Sequence, residues 1–135
     1  MGEAFDSFLE DISVCFIERD FELWIERLIR PFSLVTKTGV VVLSSRQETE
    51  ANFNLYLHAM DAMNLDLVDR SAVSVEDCND GTWLGTFTTR LLSNGVLATS
   101  PYTSTALLHW SDGMYRMSSM LNARGHSEWT GVNGV

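Results

Sequence analysis

The feature that most constrains this chain is a change of hydrophobic period near residue 65. Before that point, apolar residues recur at steps of three and four, which is typical of amphipathic helices. From Leu67 to about Ala123 the period is two, and short apolar segments alternate with turn signals, which favours strands. The sequence therefore predicts one α+β domain over residues 1–135, with a tail at 124–135 that packs loosely.

Two helices and a hairpin are predicted first. The stripe of the first helix covers about residues 3–18, and Asp20 is a suitable N-cap for the second. The apolar stripe of the second helix continues until Pro31 stops it, since proline lacks the backbone N–H that a helix needs. The β-branched segment 32–43, with a central Lys-Thr-Gly, predicts a β-hairpin.

A third, longer helix follows the hairpin. Ser45 and Glu48 have the S-x-x-E spacing of a capping box, in which each side chain accepts a hydrogen bond from the other residue's backbone. The apolar face of this helix continues to about Asn64. We expect the helix to lie against the strands that follow it.

Two dipeptides set the predicted register of the strands. Asn94-Gly95 and Asp112-Gly113 favour type I′ turns, because these residues tolerate positive φ. Pairing the strands outward from both turns predicts the same inner face, and a bulge at Pro101 would change that register. The predicted inner face contains Trp83, Phe87, Thr89, Leu91, Ala98, Ser100, Tyr102, Ser104, Ala106, Leu108, Trp110, Tyr115, Met117, Ser119 and Leu121. The predicted outer face contains Arg90, Thr105, Leu107, His109, Arg116, Ser118 and Met120.

Charge excludes some partners. The chain has 18 acidic and 9 basic side chains and a formal net charge of −9. Nucleic acids and anionic membranes are bound by clustered cations, so we expect no nucleic acid and no membrane as partner. No apolar run approaches the ~18 residues of a membrane span and the first residues lack a basic region, so we expect a cytoplasmic location.

Cysteine and histidine spacing gives no sign of a metal or cofactor. Cys15 and Cys78 are far apart in the sequence, which predicts two free thiols. His58, His109 and His126 form no HExxH or HxH motif. We therefore expect no metal site and no cofactor.

The order of these elements resembles the nuclear transport factor 2-like superfamily, and in particular its SnoaL-like branch. Two local segments carry the resemblance: DFELWIERLIRPF, from Asp20 to Phe32, and the terminal hairpin LLHWSDGMYRMSSM. The resemblance implies a cone in which three N-terminal helices pack on a strongly curved antiparallel sheet around an apolar cavity. It also implies a homodimer formed through the outer face of the sheet.

The resemblance implies two kinds of function. In the first, the cone binds a small apolar molecule, with isomerisation, dehydration or cyclisation as the implied reactions. In the second, a non-catalytic, ligand-free module is filled by its own side chains and assembles through the outer face, where Thr105, Leu107 and Met120 matter. Cavity volume distinguishes the two, because ligand pockets usually offer ~300–1,000 Å³.

Three residues are candidate catalytic groups. Counting back by twos from Val75 places Asp69 on the inward side of its strand, where apolar surroundings would make it a general base; the alternative is an aspartate at a turn or strand edge. Tyr56 lies on the apolar face of the third helix, as an oxyanion donor or as a core tyrosine. His58 lies on the flank of that helix, where a solvated or packing role is the alternative.

A second group of residues would line the cavity. Aromatic, hydroxyl and thioether side chains on one face suit a flat or apolar ligand, and simple core packing is the alternative for each of them. The candidate ligand-binding residues are Trp24, Trp83, Phe87, Tyr102, Ser104, Trp110, Tyr115, Met117 and Ser119.

Overall fold

The computed structural model describes residues 2–124, so the predicted tail lies outside the described residues from 125 onward. Three helices and seven strands are found in that part of the chain. In chain order they are α1 (Gly2–Ile17), α2 (Phe21–Glu26), β1 (Leu28–Thr36), β2 (Gly39–Leu43), α3 (Arg46–Met63), β3 (Leu67–Asp77), β4 (Thr82–Ser93), β5 (Val96–Leu97), β6 (Tyr102–Ser111) and β7 (Met114–Leu121).

The strands form one sheet in the order β2-β1-β7-β6-β4-β3, with β5 paired to the end of β4. Every pairing is antiparallel except that of β1 with β7, which is parallel. The helix α1 packs against β3 and β7, and α2 packs against α1 and β1. The apolar core lies between the helices and one face of the sheet, which is the predicted α+β architecture.

The second helix is shorter than the sequence pattern predicts. It ends at Glu26, and Leu28, which continues the apolar stripe, begins β1 instead. The backbone N–H of Met117 donates to the carbonyl oxygen of Arg27 at 2.9 Å, and Leu28 pairs with Met117 in the parallel ladder. The prediction that the helix continues to Pro31 is therefore wrong, because strand pairing with a distant segment overrides helical periodicity.

The third helix and the hairpin turns are confirmed. The hydroxyl of Ser45 accepts a hydrogen bond from the N–H of Glu48, and the carboxylate of Glu48 accepts one from the N–H of Ser45, both at 3.0 Å. Both residues of each predicted turn have positive φ, as a type I′ turn requires. Ser111 opposes Met114 in the last hairpin, as the turn predicts.

The register near Pro101 changes by two residues. Leu92 pairs with Leu97 beside the first turn, but Thr89 then pairs with Tyr102 instead of Ser100. Two extra residues leave the alternation of faces unchanged. The side chain of Tyr102 and every second side chain after it in β6 therefore still point inward. Ser100, predicted on the inner face, is exposed.

A β-bulge at Val73 reverses the predicted direction of Asp69. Ala72 pairs with Phe87 and Ser74 pairs with Thr86, so Val73 is the extra residue. Counting by twos across one extra residue exchanges the two faces of the strand. The prediction that Asp69 points inward is therefore wrong.

A second bulge, at Ser118, reverses the faces on which the following residues of β7 lie. Leu108 pairs with Met117, but Leu107 pairs with Ser119 and Ala106 pairs with Met120. Met120 is consequently 7% exposed and packs in the core, while Ser119 shares the outer face with Leu107. The same bulge pairs Leu121, which is 48% exposed, with Thr105 on the outer face. The predictions of Ser119 and Leu121 as inner residues and of Met120 as an outer one are therefore wrong.

No helix within residues 2–124 combines the length and apolar character needed to cross a membrane.

Candidate functional site

A small cavity lies between the helices and the inner face of the sheet. Its free volume is about 20 Å³, which is room for about one water molecule. Among residues 2–124, most of its walls are apolar, and its charged groups are basic. The residues that line it are Phe16, Trp24, Leu34, Tyr56, Arg70, Tyr102, Met120, Ala123 and Arg124.

All three helices contribute aromatic walls to the cavity. Phe16, near the end of α1, lies with its ring centroid 5.0 Å from that of Trp24 on α2 and 5.9 Å from that of Tyr56 on α3. Trp24 is 3% exposed and Tyr56 is 6% exposed. Edge and tilted contacts of this kind hold aromatic rings in defined orientations, so this side of the cavity is preorganised.

Arg70 reaches the cavity from β3. It follows Val68 on the inward side of the strand and pairs with Thr89 of β4. Its Nη1 donates to the carbonyl oxygen of Ile12 at 2.7 Å, and its guanidinium carbon lies 5.8 Å from the centroid of the Phe16 ring. Burial lowers the pKa of Arg70 from its usual range. Arginine nevertheless stays protonated near neutral pH, because its ordinary pKa is above ~12.

Arg124 brings a second guanidinium to the cavity. Its guanidinium carbon lies 5.0 Å from the centroid of the Tyr102 ring, within cation–π range. The hydroxyl of Tyr56 donates to the carbonyl oxygen of Arg124 at 2.7 Å, which fixes the chain at this point. Tyr56 and Tyr102 also contribute electrostatically to the environment of Arg70.

Three nitrogen atoms of the lining residues are buried without a hydrogen-bond partner: Trp24 Nε1, Arg70 Nε and Arg124 Nε. The Oγ1 atom of Thr89, whose residue pairs with Arg70 across the sheet, is also buried and unpartnered. Buried polar groups in folded proteins are nearly always hydrogen-bonded, so each exception requires an explanation. Within residues 2–124, three of the five such atoms belong to residues that line this cavity, and the fifth, Oδ1 of Asn52, lies on α3 outside the lining.

The three candidate catalytic residues lie in different environments. Asp69 faces away from the cavity and lies 3.7 Å from Nη1 of Arg90 in an ion pair whose two side chains are both nearly half exposed. His58 is exposed on α3. Only Tyr56 of the three lines the cavity.

The candidate ligand-binding residues divide between the cavity and the core. Trp24 and Tyr102 line the cavity. Trp110 is 42% exposed and packs edge-on against Tyr115 at the far end of the last hairpin. Four of the candidates are core residues that do not line this cavity: Phe87, Ser104, Tyr115 and Met117. Trp83 is half-buried beside Tyr115.

Sequence reasoning missed both charged residues of the site, Arg70 and Arg124, together with the apolar lining residues Phe16, Leu34, Met120 and Ala123. The signal for Arg70 was present in its strand, where Val68 and Ala72 share its parity but Val73 and Val75 have the opposite one. A change of apolar parity within one strand indicates a bulge. Arg124 follows the last strand, where no period exists to predict its direction.

A larger depression lies elsewhere, on the surface. Its free volume is about 360 Å³, and it is open between the start of α1 and the bulge in β3. Asp6 is the only charged residue among the described residues that line it, and none of these residues has an unpartnered polar atom. We therefore take the interior cavity as the candidate site.

The remaining reactive groups do not form a second centre. Burial raises the pKa of the Cys15 thiol to about 12, which keeps it protonated and unreactive near neutral pH. Cys78 is a free thiol that directly follows the last residue of β3. Over residues 2–124 no cluster of three His, Cys, Asp or Glu side chains could hold a metal ion.

Comparison with known proteins identifies the fold. No protein-family model and no curated protein matches the sequence. Among solved structures, an NTF-2 like protein of unknown function from Shewanella oneidensis superposes with a TM-score of 0.65 at 7% identity, over 88% of this chain and 95% of that one. A ketosteroid isomerase-like protein from Erwinia carotovora atroseptica gives 0.61 at 12% identity, over 89% and 92%.

A domain of unknown function with a cystatin-like fold from Nostoc punctiforme superposes with a TM-score of 0.63 at 15% identity, over 88% of this chain and 74% of that one. The chain therefore has the nuclear transport factor 2-like fold, which confirms the fold that the sequence resemblance implies. Identities this low show the fold alone.

Proposed function

We propose that this protein binds a small, mainly apolar molecule in its interior cavity. The observation that carries the proposal is the set of three buried, unpartnered nitrogen atoms on the lining residues Trp24, Arg70 and Arg124. A mainly apolar pocket with a few convergent polar groups is the usual form of a small-molecule site. Polar groups of a bound ligand would give these nitrogens the partners they lack.

Binding accounts for the described lining better than acid–base catalysis does. A proton-transfer step near neutral pH needs a group such as an imidazole or a shifted carboxyl. Within residues 2–124 the lining supplies guanidinium and phenol groups instead, which hold and orient a ligand. Isomerisation, dehydration and cyclisation are therefore not part of the proposal. Membership of the SnoaL-like branch and a cytoplasmic location remain predictions of the sequence.

Native mass spectrometry tests the proposal on gently purified protein. We expect an extra mass on the wild-type chain and its loss in Ala123→Met, because Ala123 is a 2% exposed lining residue whose enlargement fills the cavity. Ala51→Met, at an exposed position on α3, is the matched control and should retain the extra mass. Equal occupancy of the two variants would contradict binding in this cavity.

The cavity volume favours a second candidate function, a ligand-free assembly module. About 20 Å³ of free space is far below the ~300 Å³ of an ordinary ligand pocket. On the outer face, Leu121 is 48% exposed and shares its side of the sheet with Leu107. This face would then serve as the contact between two copies of the chain.

Sedimentation equilibrium tests the second candidate. If the outer face forms a dimer, Leu121→Lys should give monomers, because it places a charge in the apolar contact. Val96→Lys is the control, since Val96 is 68% exposed in the short strand β5. A wild-type monomer, or dissociation of both variants alike, would count against an interface on this face.

A further inference from the structure

The lining of the cavity has a hydrogen-bonding bias. An indole N–H donates only, and a guanidinium group donates only. The three unpartnered nitrogens of Trp24, Arg70 and Arg124 are therefore all donors. The ligand that satisfies them must present acceptor atoms, so a hydrocarbon alone does not fit this lining.

The lining also has an uncompensated charge. Two guanidinium groups reach the cavity, and within residues 2–124 neither Arg70 nor Arg124 forms an ion pair with a carboxylate. Both arginines are half-buried, and a charge withdrawn from water is costly to the extent that it is buried and unpaired. Contacts of Arg70 with the Ile12 carbonyl and the Phe16 ring offset only part of that cost.

We infer that the ligand is a small apolar carboxylate, with its anionic group held by Arg70 and Arg124 and its hydrocarbon part against Phe16, Leu34 and Met120. This inference rests on the proposed function and names the class of molecule bound there. A carboxylate supplies the acceptor atoms and the negative charge together, and arginine holds carboxylates through paired N–H donors. The net charge of −9 makes this cationic interior an exception to the charge of the whole chain.

Entry of such a ligand requires side chains to move. The free volume of about 20 Å³ holds a water molecule but not a carboxylate with its hydrocarbon part. Met120 and Arg124 are the long, unbranched side chains of the lining that change rotamer most readily. Their displacement would open space next to Arg70 without moving the aromatic rings on the helices.

Benzoate and benzamide are matched probes for this inference. They share a ring and a nearly planar head group and differ in charge. We expect benzoate to bind at least about tenfold more tightly than benzamide at neutral pH, because hydrogen bonds to charged groups are roughly twice as strong as neutral ones. Two-dimensional NMR titration measures both affinities, with the Trp24 indole N–H as the local signal.

Two arginine variants locate the preference. Arg70→Met removes the charge while keeping an unbranched apolar stem, and the ratio of the two affinities should fall to about one. Arg90→Met is the matched control, since Arg90 lies on the neighbouring strand with its side chain 43% exposed on the outer face. That control should keep the wild-type ratio, because it changes net charge equally without touching the cavity.

The outcomes separate the two proposals. Equal binding of benzoate and benzamide to the wild-type chain overturns the anionic ligand and leaves the binding function standing. Failure of both probes to bind overturns both proposals, and the orphaned donors then hold a single water. If Arg70→Met does not fold, Arg124→Met and the wild-type ratio decide the question without it.

Discussion

At the scale of single residues, Gly85 shows how tightly the inner face is packed. A Cβ atom added there would lie 2.6 Å from Cε1 of Phe5 and 2.8 Å from Cδ1 of Leu108. Both neighbours are fully buried, so neither can move away freely. We expect Gly85→Ala to lower the free energy of unfolding by about 1–3 kcal/mol, the usual cost of overpacking a core. Urea denaturation measures the change.

Gly2→Ala is the matched control for that experiment. Gly2 begins α1, and nothing lies within 4 Å of a Cβ atom added to it. Its effect should therefore be within ~0.5 kcal/mol of zero, as for other surface substitutions. A Gly85→Ala protein as stable as this control would show that Phe5 and Leu108 can repack.

Single residues also mark the limit of sequence-based prediction at the site. Trp24 and Tyr56 could be placed near the cavity because helical periodicity fixes which side of a helix faces the core. Asp69 could not, because one bulge residue, Val73, reverses the alternation on which the inference depended. Arg70 was missed for the same reason, because an alternation that points Asp69 inward points its neighbour Arg70 outward.

At the scale of elements, the start of α3 is the best-defined local signal. Ser45→Ala removes the hydroxyl that accepts from the N–H of Glu48. We expect a loss of about 1 kcal/mol in the free energy of unfolding, the typical effect of losing an N-cap. Ser44→Ala is the control, since only the backbone N–H of Ser44 takes part in the cap. Similar losses in both variants would contradict a specific capping role for Ser45.

The same cap predicts that the stability of the protein depends on pH. Backbone N–H groups of Ser45 and Ser44 donate to the carboxylate of Glu48 and hold its pKa below the ordinary value of 4.5. A carboxyl whose pKa is depressed by folding stabilises the folded state above its unfolded pKa and loses that contribution as pH falls through its folded pKa. Glu48→Gln should therefore be less stable than wild type near neutral pH.

The stability difference between wild type and Glu48→Gln should shrink below pH 4.5. Urea midpoints across that range measure it. A difference independent of pH would mean that the charge of Glu48 contributes nothing to the cap.

Element boundaries were predictable where local chemistry sets them. The capping box placed the start of α3, and the positive φ of Asn94 and Asp112 placed two hairpin turns. The end of α2 was not predictable, because it depends on the pairing of Leu28 with Met117, almost ninety residues away. Local signals carry no information about such a partner.

At the scale of the whole molecule, the excess of negative charge lowers the stability of the folded state. With 18 acidic and 9 basic side chains, repulsion among carboxylates outweighs the exposed ion pairs, which are individually weak. We expect the urea midpoint to rise as sodium chloride increases to ~0.5 M, because salt screens charges over distances longer than a few Å. A midpoint that falls with salt would show that ion pairs dominate instead.

The order of elements was sufficient to predict the overall fold, since helices followed by a long run of strands have few compact arrangements. The size of the cavity was not predictable in the same way, because it depends on how Met120 and Arg124 fill it. Volume is a property of packing among distant residues, and no sequence pattern encodes it directly.

The parallel pairing of β1 with β7 has a consequence for synthesis. The first strand of the chain has β2 on one side, and its other neighbour is the last strand, residues 114–121. A ribosome therefore releases both helices and the first hairpin long before their partner exists. Because non-local pairing must wait for its partner, one edge of β1 remains unpaired until β7 has been synthesised. The edge of β1 that later pairs with β7 is thus an unpaired strand edge, open to wrong partners, for the whole of that interval.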